Sequence, residues 1–319
     1  MKQYSEEEIE RIMKQYKLSD EDHDRIFEDI KRIWHTDPFP VEKPKAIIIG
    51  GQTGSGKTGI IAHSIAQFED RNVVVINSDE IKPFHPKSSE IARLYPDLYT
   101  KVTDQESNTW TSDLFEATMV GKYNLIFEGT MKNSRILGTM RRLKSLGYEV
   151  TVRGLSVCDL ESMLSVLERY TAQVEKKGWG RLVVPEHHYE TYRGMPETVG
   201  EIEESGVPDK IEIFRRGTHP ARPVLIYSEE EPFGFENAKD AVLRGREQDI
   251  IRTLPTFEER ARKINESMLA RDADLEEQKI LLDLLEHYRE TKEGIDAQKK
   301  SLTANKKEEL DTSTQGDER

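Results

Sequence analysis

From Ser5 the apolar residues Ile9, Ile12, Met13 and Tyr16 recur at i, i+3, i+4 and i+7, which places them on one face of a helix. Ser5 with Glu8 supplies a capping-box start. Ser19 and Asp22 repeat the device, and Ile26, Phe27, Ile30, Ile33 and Trp34 form the apolar face of a second helix that Asp37-Pro38-Phe39-Pro40 stops. The helical period then ends. Lys45-Ala46-Ile47-Ile48-Ile49 is a continuous apolar run, the signature of a strand covered on both faces of a parallel sheet. Similar runs follow at 73–76, 124–127 and 148–152, each separated from the next by a stretch able to form a helix, so the alternation is βαβα. Beyond them the pattern predicts a helix over 160–174, a flexible link at Gly178-Trp179-Gly180, a helix ending near Glu204, and short edge strands at 211–214 and 224–227.

Past Pro255 the composition changes. The segment from Phe257 to Glu290 is about half charged and reads as one long exposed helix. After Gly294 too little apolar surface is left to fold alone, which predicts a frayed or disordered tail. The expected organisation is an N-terminal helical pair over 1–42, an α/β domain over 43–254 with a mainly parallel sheet between helical layers, and a charged helical extension over 255–319.

The 319 residues carry 47 Lys and Arg against 60 Asp and Glu, a net charge of −13. Such a field repels phosphate backbones and anionic leaflets, and no run of five basic residues opposes it, so neither nucleic acid nor a membrane is an expected partner. The acidity is unevenly spread. Residues 1–42 hold 7 basic against 12 acidic groups and residues 257–319 hold 12 against 17, which leaves the centre close to balance. Cys158 is the one cysteine, so no internal disulfide forms. No apolar stretch reaches the roughly 18 residues of a membrane helix, and the acidic N-terminus does not read as a signal peptide. A cytoplasmic protein is expected.

Directly after the first strand stands Gly51-Gln52-Thr53-Gly54-Ser55-Gly56-Lys57-Thr58, a G-x-x-x-x-G-K-[ST] phosphate loop in strand–loop–helix context. Its glycines let backbone N–H groups curl inward, the helix start adds partial positive charge, Lys57 reaches the β- and γ-phosphates, and the Thr58 hydroxyl sits on Mg²⁺. The second strand ends in Asn77-Ser78-Asp79-Glu80, at the carboxyl edge where open α/β sheets bind ligands. A carboxylate there takes a proton from an acceptor hydroxyl, with Asp79 preferred over Glu80. The third strand closes on Glu128-Gly129-Thr130, where Glu128 serves either Mg²⁺ or a substrate hydroxyl and Gly129 allows close approach to the backbone. Transferring a γ-phosphoryl group also needs cations. Arg169 and Arg181 are the candidates, with Lys176 and Lys177 as rivals. His187-His188 has no third ligand spaced for zinc and reads as structural or lid-orienting, while Cys158 reads as a small core residue.

The ordered set resembles the zeta toxin family of bacterial toxin–antitoxin systems over about Lys45 to Tyr227. The resemblance rests on Gly50 to Thr58, on Ser78-Asp79 with Lys82 and His85-Pro86, on Tyr123 to Thr130, on Lys144 to Val150, on Glu168-Arg169-Tyr170, and on Arg181 with Pro185-Glu186-His187-His188. It implies a P-loop kinase-type three-layer sandwich. It also implies a phosphotransferase that uses ATP or GTP with Mg²⁺ on the sugar 3′-hydroxyl of UDP-N-acetylglucosamine or related UDP-sugars, inhibiting cell-wall synthesis. Carried onto this chain, the family pattern assigns Lys57 and Thr58 to nucleotide and metal, Asp79 to the base, Glu128, Gly129 and Thr130 to substrate, and Arg169 with Arg181 to the phosphoryl group. It further implies an epsilon-type antitoxin that blocks the nucleotide site. Two alternatives remain open on the residues alone: a kinase of another small-molecule hydroxyl, such as an antibiotic or a dinucleotide, and a nucleotide-dependent switch.

Overall fold

A computed structural model describes residues 4–217 and 222–316. The chain divides into two compact units, Met1–Ile251 and Arg252–Arg319.

The first unit opens with α1 (Glu6–Tyr16) and α2 (Asp20–Trp34). Ser5 caps α1 with the reciprocal Glu8 bond expected of a capping box, and the Ser19 side chain accepts from the Asp22 N–H at the start of α2. Next come β1 (Lys45–Gly50), α3 (Lys57–Ile65), β2 (Val74–Ile76), α4 (Ser78–Ile81), α5 (Ser88–Leu94), α6 (Tyr99–Val120), β3 (Leu125–Glu128), α7 (Ile136–Ser145), β4 (Glu149–Leu155), α8 (Asp159–Lys177), α9 (Pro185–Ser205), β5 (Lys210–Arg215) and β6 (Val224–Ser228). One sheet holds the strands in the order β2-β3-β1-β4-β5-β6. All neighbours are parallel except β5 and β6; the last two short runs extend the sheet beyond β4 as expected, and the antiparallel pairing of the outer one is set by the structure.

The apolar run of β1 is continuous because both its faces are covered. Ala46 and Ile48 join one core with Val74, Leu125, Val150 and Val152, whereas Ile47 and Ile49 join another with Ile60, Ile126 and Leu155. Helices on both faces give the three layers. The N-terminal pair packs on α6: Ile26 and Ile30 enter the first core, and Ile12 and Tyr16 form a satellite cluster with Ile91, Leu98 and Val102. Because β1 pairs with β3 on one side and β4 on the other, chain connections diverge there, and a crevice opens at the carboxyl end of the central strands.

The second unit corrects one expectation. The long helix expected over 257–290 is broken, because α10 (Ala238–Ala270), which starts in the first unit, ends before α11 (Leu275–Gly316) begins. Asp272 takes a left-handed φ of +51°, and Asp274 accepts from the Glu277 N–H at 2.9 Å to start the second helix. The turn folds the chain into a hairpin in which Phe257 stacks on Tyr288, with centroids 4.3 Å apart. Beyond Gly294, α11 continues to Gly316. Its Ala, Gln, Lys, Leu and Glu residues are strong helix formers that need no core to favour the helix; residues 317–319 of the expected tail lie outside the described residues.

Candidate active site

The loop between β1 and α3 is built by its glycines. Gly54 has φ +82°, and a Cβ there would lie 2.0 Å from the Ser162 carbonyl oxygen; Gly56 has φ +95° and caps α3. Gln52 is fully buried and fastens the loop to the β4–α8 turn, its Nε2 donating to Val157 O at 2.8 Å and to Ser162 Oγ at 3.2 Å. His188 Nε2 lies 2.8 Å from the same Ser162 Oγ. Lys57 Nζ donates to the carbonyls of Gly51 (2.8 Å) and Gln52 (3.1 Å) and stands 3.7 Å from Glu128 Oε1. Burial pushes the lysine's pKa down, against the pull of Glu128 and Asp79.

The acids come from the two neighbouring strand ends. Asn77, just past β2, accepts from the Asp79 N–H at 2.8 Å and donates Nδ2 to Glu128 Oε2 at 2.5 Å, which ties the two strand ends together. Burial raises the Glu128 pKa, Lys57 opposes the rise, and the negative charges of Asp79 and Glu80 reinforce it. Burial also acts to raise Asp79. There the cations win: Arg181 Nη1 at 2.5 Å and Lys82 Nζ at 2.8 Å hold the carboxyl well below the usual carboxylate range. Glu80, the rival base, is exposed as Asp79 is, and what sets Asp79 apart is the pair of cations on its carboxylate.

Arg181 reaches Asp79 from the link between α8 and α9. Gly178 ends α8 in a left-handed turn, and the Arg181 N–H donates to Gln173 Oε1 at 2.9 Å, so residues 178–184 form a strap folded back on α8. The strap also touches the opposite wall, where the Trp179 ring lies 5.9 Å from that of Tyr99. Arg169, on α8, joins the same charge group, with Arg181, Asp79 and Glu128 as its charged neighbours. The rivals stand elsewhere: Lys177 lies over the Trp179 ring, and Lys176 is exposed. The two histidines part company as adjacent side chains do. His188 is buried beneath the loop and His187 is 72% exposed. Cys158 is buried and accepts from the Glu161 N–H at the start of α8, a core residue as its sequence position suggests.

Beside Glu128 a cleft of about 420 Å³ is lined by Ser78, Asn108, Thr111, Glu128, Gly129 and Thr130, with further α6 residues behind them. The structure thus brings Lys57, Asp79, Glu128, Arg169 and Arg181 together, with Gly129 and Thr130 on the adjoining cleft wall. Sequence reasoning quoted Asn77 and Lys82 without giving either a role, and passed over Asp104, Asn108 and Thr111. The available signal was the polar set Asp104, Asn108 and Thr111 at i, i+4 and i+7 within a long helix, a stripe facing away from buried Val102, Trp110 and Leu114.

The zeta toxin family model matches residues 30–229. The chain belongs to the zeta toxin family. It is 28% identical over 195 residues to the toxin zeta of Streptococcus agalactiae, covering 60% of this chain and 67% of that protein. It is 30% identical over 178 residues to the toxin PezT of Streptococcus pneumoniae serotype 4, covering 55% of this chain and 70% of that one. A solved structure from the PezAT chromosomal toxin–antitoxin system of Streptococcus pneumoniae superposes with a TM-score of 0.65 at 22% identity, over 79% of this chain and 98% of that chain, and so shares its fold. The chain therefore spans about two thirds of the length of the toxins it matches in sequence.

Every candidate residue of this zeta toxin family member lies inside the matched stretch, whereas α1 and the second unit lie outside it. Among the described residues no group of three His, Cys, Asp or Glu side chains is arranged to hold a metal ion, and no helix is long and apolar enough to cross a membrane. The donor set still fits Mg²⁺, an ion held by one or two protein oxygens together with nucleotide phosphates. Thr58 is exposed on the first turn of α3, and the Glu128 carboxylate stands beside Lys57 of the same turn.

Proposed function

We propose that this chain is an ATP- or GTP-dependent phosphotransferase whose acceptor is the sugar 3′-hydroxyl of UDP-N-acetylglucosamine or a related UDP-sugar. The observation that carries the reading is the convergence of Lys57, Asp79, Arg169 and Arg181 at the mouth of a cleft bordered by Glu128, Gly129 and Thr130. A cleft of about 420 Å³ lies in the range of small-molecule sites.

In this reading the loop 51–58 holds the nucleotide phosphates on inward N–H groups. Lys57 exchanges its loop carbonyls for β- and γ-phosphate oxygens. Glu128, kept in place by Asn77, orients the acceptor, and Asp79 accepts the proton of the attacking hydroxyl. Arg169 and Arg181 neutralise charge on the group in transfer, so positioning and electrostatics carry the rate. Mg²⁺ on Thr58 would supply charge neutralisation across the phosphates.

The test is incubation of the purified chain with ATP, Mg²⁺ and a panel of UDP-sugars, followed by mass spectrometry. Gain of one phosphoryl group on a UDP-sugar is expected, and its loss in Asp79→Asn with ATP binding retained. An unchanged panel overturns the acceptor, and an Asp79→Asn variant of full activity moves the base. The names of the relatives also support an antitoxin partner, and the family resemblance implies that it blocks the nucleotide site. Co-expression with the product of a neighbouring gene, followed by competition with ATP, checks that reading.

A further inference from the structure

Lys82 follows α4 directly and is only 4% exposed. Its Nζ meets two carboxylates from different parts of the chain, Asp79 Oδ1 at 2.8 Å and Asp104 Oδ1 of α6 at 3.0 Å. Sequence spacing explains the first, three residues away, but not the second. An enclosed ammonium is costly to leave without a partner. A base that turns its carboxylate toward an acceptor hydroxyl must loosen its hold on the cations around it. With Asp79 as sole partner, that turn would strand Lys82.

We propose that Lys82 is a positioning residue for Asp79 and that Asp104 is the standing counter-ion of Lys82, which keeps Lys82 paired while Asp79 turns to the acceptor. The proposal rests on the reading of Asp79 as the base. It also links the base to the cleft wall, because Asp104 stands one helical turn before Asn108, and Asn108 and Thr111 line the cleft. The back of α6 is fixed as well. Glu106 accepts from the Leu18 N–H at 3.1 Å and lies 2.5 Å from His23 Nδ1, so the N-terminal pair clamps the helix that carries Asp104.

The charged groups around Asp79 are Lys82 on the following turn, Asp104 across Lys82, Arg181 from the strap, Lys57 of α3, Glu128 of β3 and Arg169 of α8. The test follows the Asp79 carboxyl directly. The full chain carries ¹³C at its aspartate carboxyls, the Asp79 signal is assigned by its loss in Asp79→Asn, and thermal melting confirms that each variant is folded.

Lys82→Met is expected to raise the Asp79 titration midpoint by about 1 to 3 pH units, the usual effect of one close opposite charge. Lys82→Arg should hold it at the wild-type position. The paired variant Lys82→Met/Asp104→Asn should raise it less than Lys82→Met alone, because the facing carboxylate is gone too. Should Lys82→Met not fold, the paired variant, which strands no buried charge, carries the comparison and must titrate above wild type. A midpoint that stays at the wild-type position without Lys82, or single and paired variants that titrate together, overturns the proposal. These readouts need no acceptor. A titration that moves as expected in a protein that phosphorylates no hydroxyl leaves the ion-pair role standing and removes the assignment of Asp79 as base.

Discussion

Arg181 Nη1 and Asp79 Oδ1 stand 2.5 Å apart, so the arginine assigned to the phosphoryl group and the carboxylate assigned to the proton neutralise each other across the strap. For both to act, Arg181 must move to the γ-phosphate and release Asp79. Arg181→Gln removes the larger of the two attractions that hold the Asp79 carboxyl below the usual range. With burial then less opposed, Asp79 protonates at higher pH. The acid limb of the kcat/KM profile should move upward, and kcat should fall by about 10²- to 10³-fold through the lost charge stabilisation. Steady-state phosphotransfer between pH 4 and 8 measures both.

Lys57 provides a second prediction. Its Nζ now donates to the Gly51 and Gln52 carbonyls, a position from which it reaches the β- and γ-phosphates. Lys57→Met should cost transfer at least about 10²-fold. It should also weaken ATP more than ADP, since the γ-phosphate is the part only ATP presents. Calorimetric titration with both nucleotides reads the difference.

Gly54→Ala tests the loop itself. The added Cβ meets the Ser162 carbonyl oxygen at 2.0 Å, a backbone atom that cannot swing aside, and the φ of +82° disfavours any side chain. A loss of about 1 to 3 kcal/mol of stability is expected from the strained backbone, together with weakened nucleotide binding. Urea unfolding and nucleotide titration check the pair of effects.

His188 gives the protein a pH-dependent stability. Burial pushes its pKa down to about 4, whereas an unfolded histidine titrates near 6.5. As pH falls, the unfolded chain takes the proton first. The stability tied to the neutral folded ring is complete above about 6.5 and is lost progressively toward 4, a change of about 3 kcal/mol at most. His188→Gln, whose side-chain amide keeps a hydrogen-bonding group for Ser162, should flatten the slope. Urea midpoints at pH 7 and pH 4.5 for the two proteins decide the matter.

The second unit shows where a local pattern misleads. Phe257 and Tyr288 lie 31 residues apart in the chain yet stack face to face. The helical period on either side of Asp272-Ala273-Asp274 is strong enough to read as one helix, and the turn shows only through the capping preference of Asp274.

The sequence by itself determined what depends on neighbours in the chain. The N-terminal helices follow from apolar spacing and serine caps, the buried strands from continuous apolar runs, and the phosphate loop from eight consecutive residues whose glycines and lysine act on the same few ångströms of space. The placement of Asp79 and Glu128 at the carboxyl edge of the sheet was legible as well, because each follows or closes a short apolar strand run. Only the tertiary structure decided which charges meet. Arg181 lies 102 positions from Asp79, and Asp104 lies 22 from Lys82, so no periodicity pairs them. Asn77 joins Glu128 only because β2 and β3 are neighbours in the sheet. The physical reason is range: helix caps and loop turns are set by contacts a few residues apart, whereas the electrostatics of the site are set by groups that the packed sheet and α6 bring within a hydrogen bond of each other.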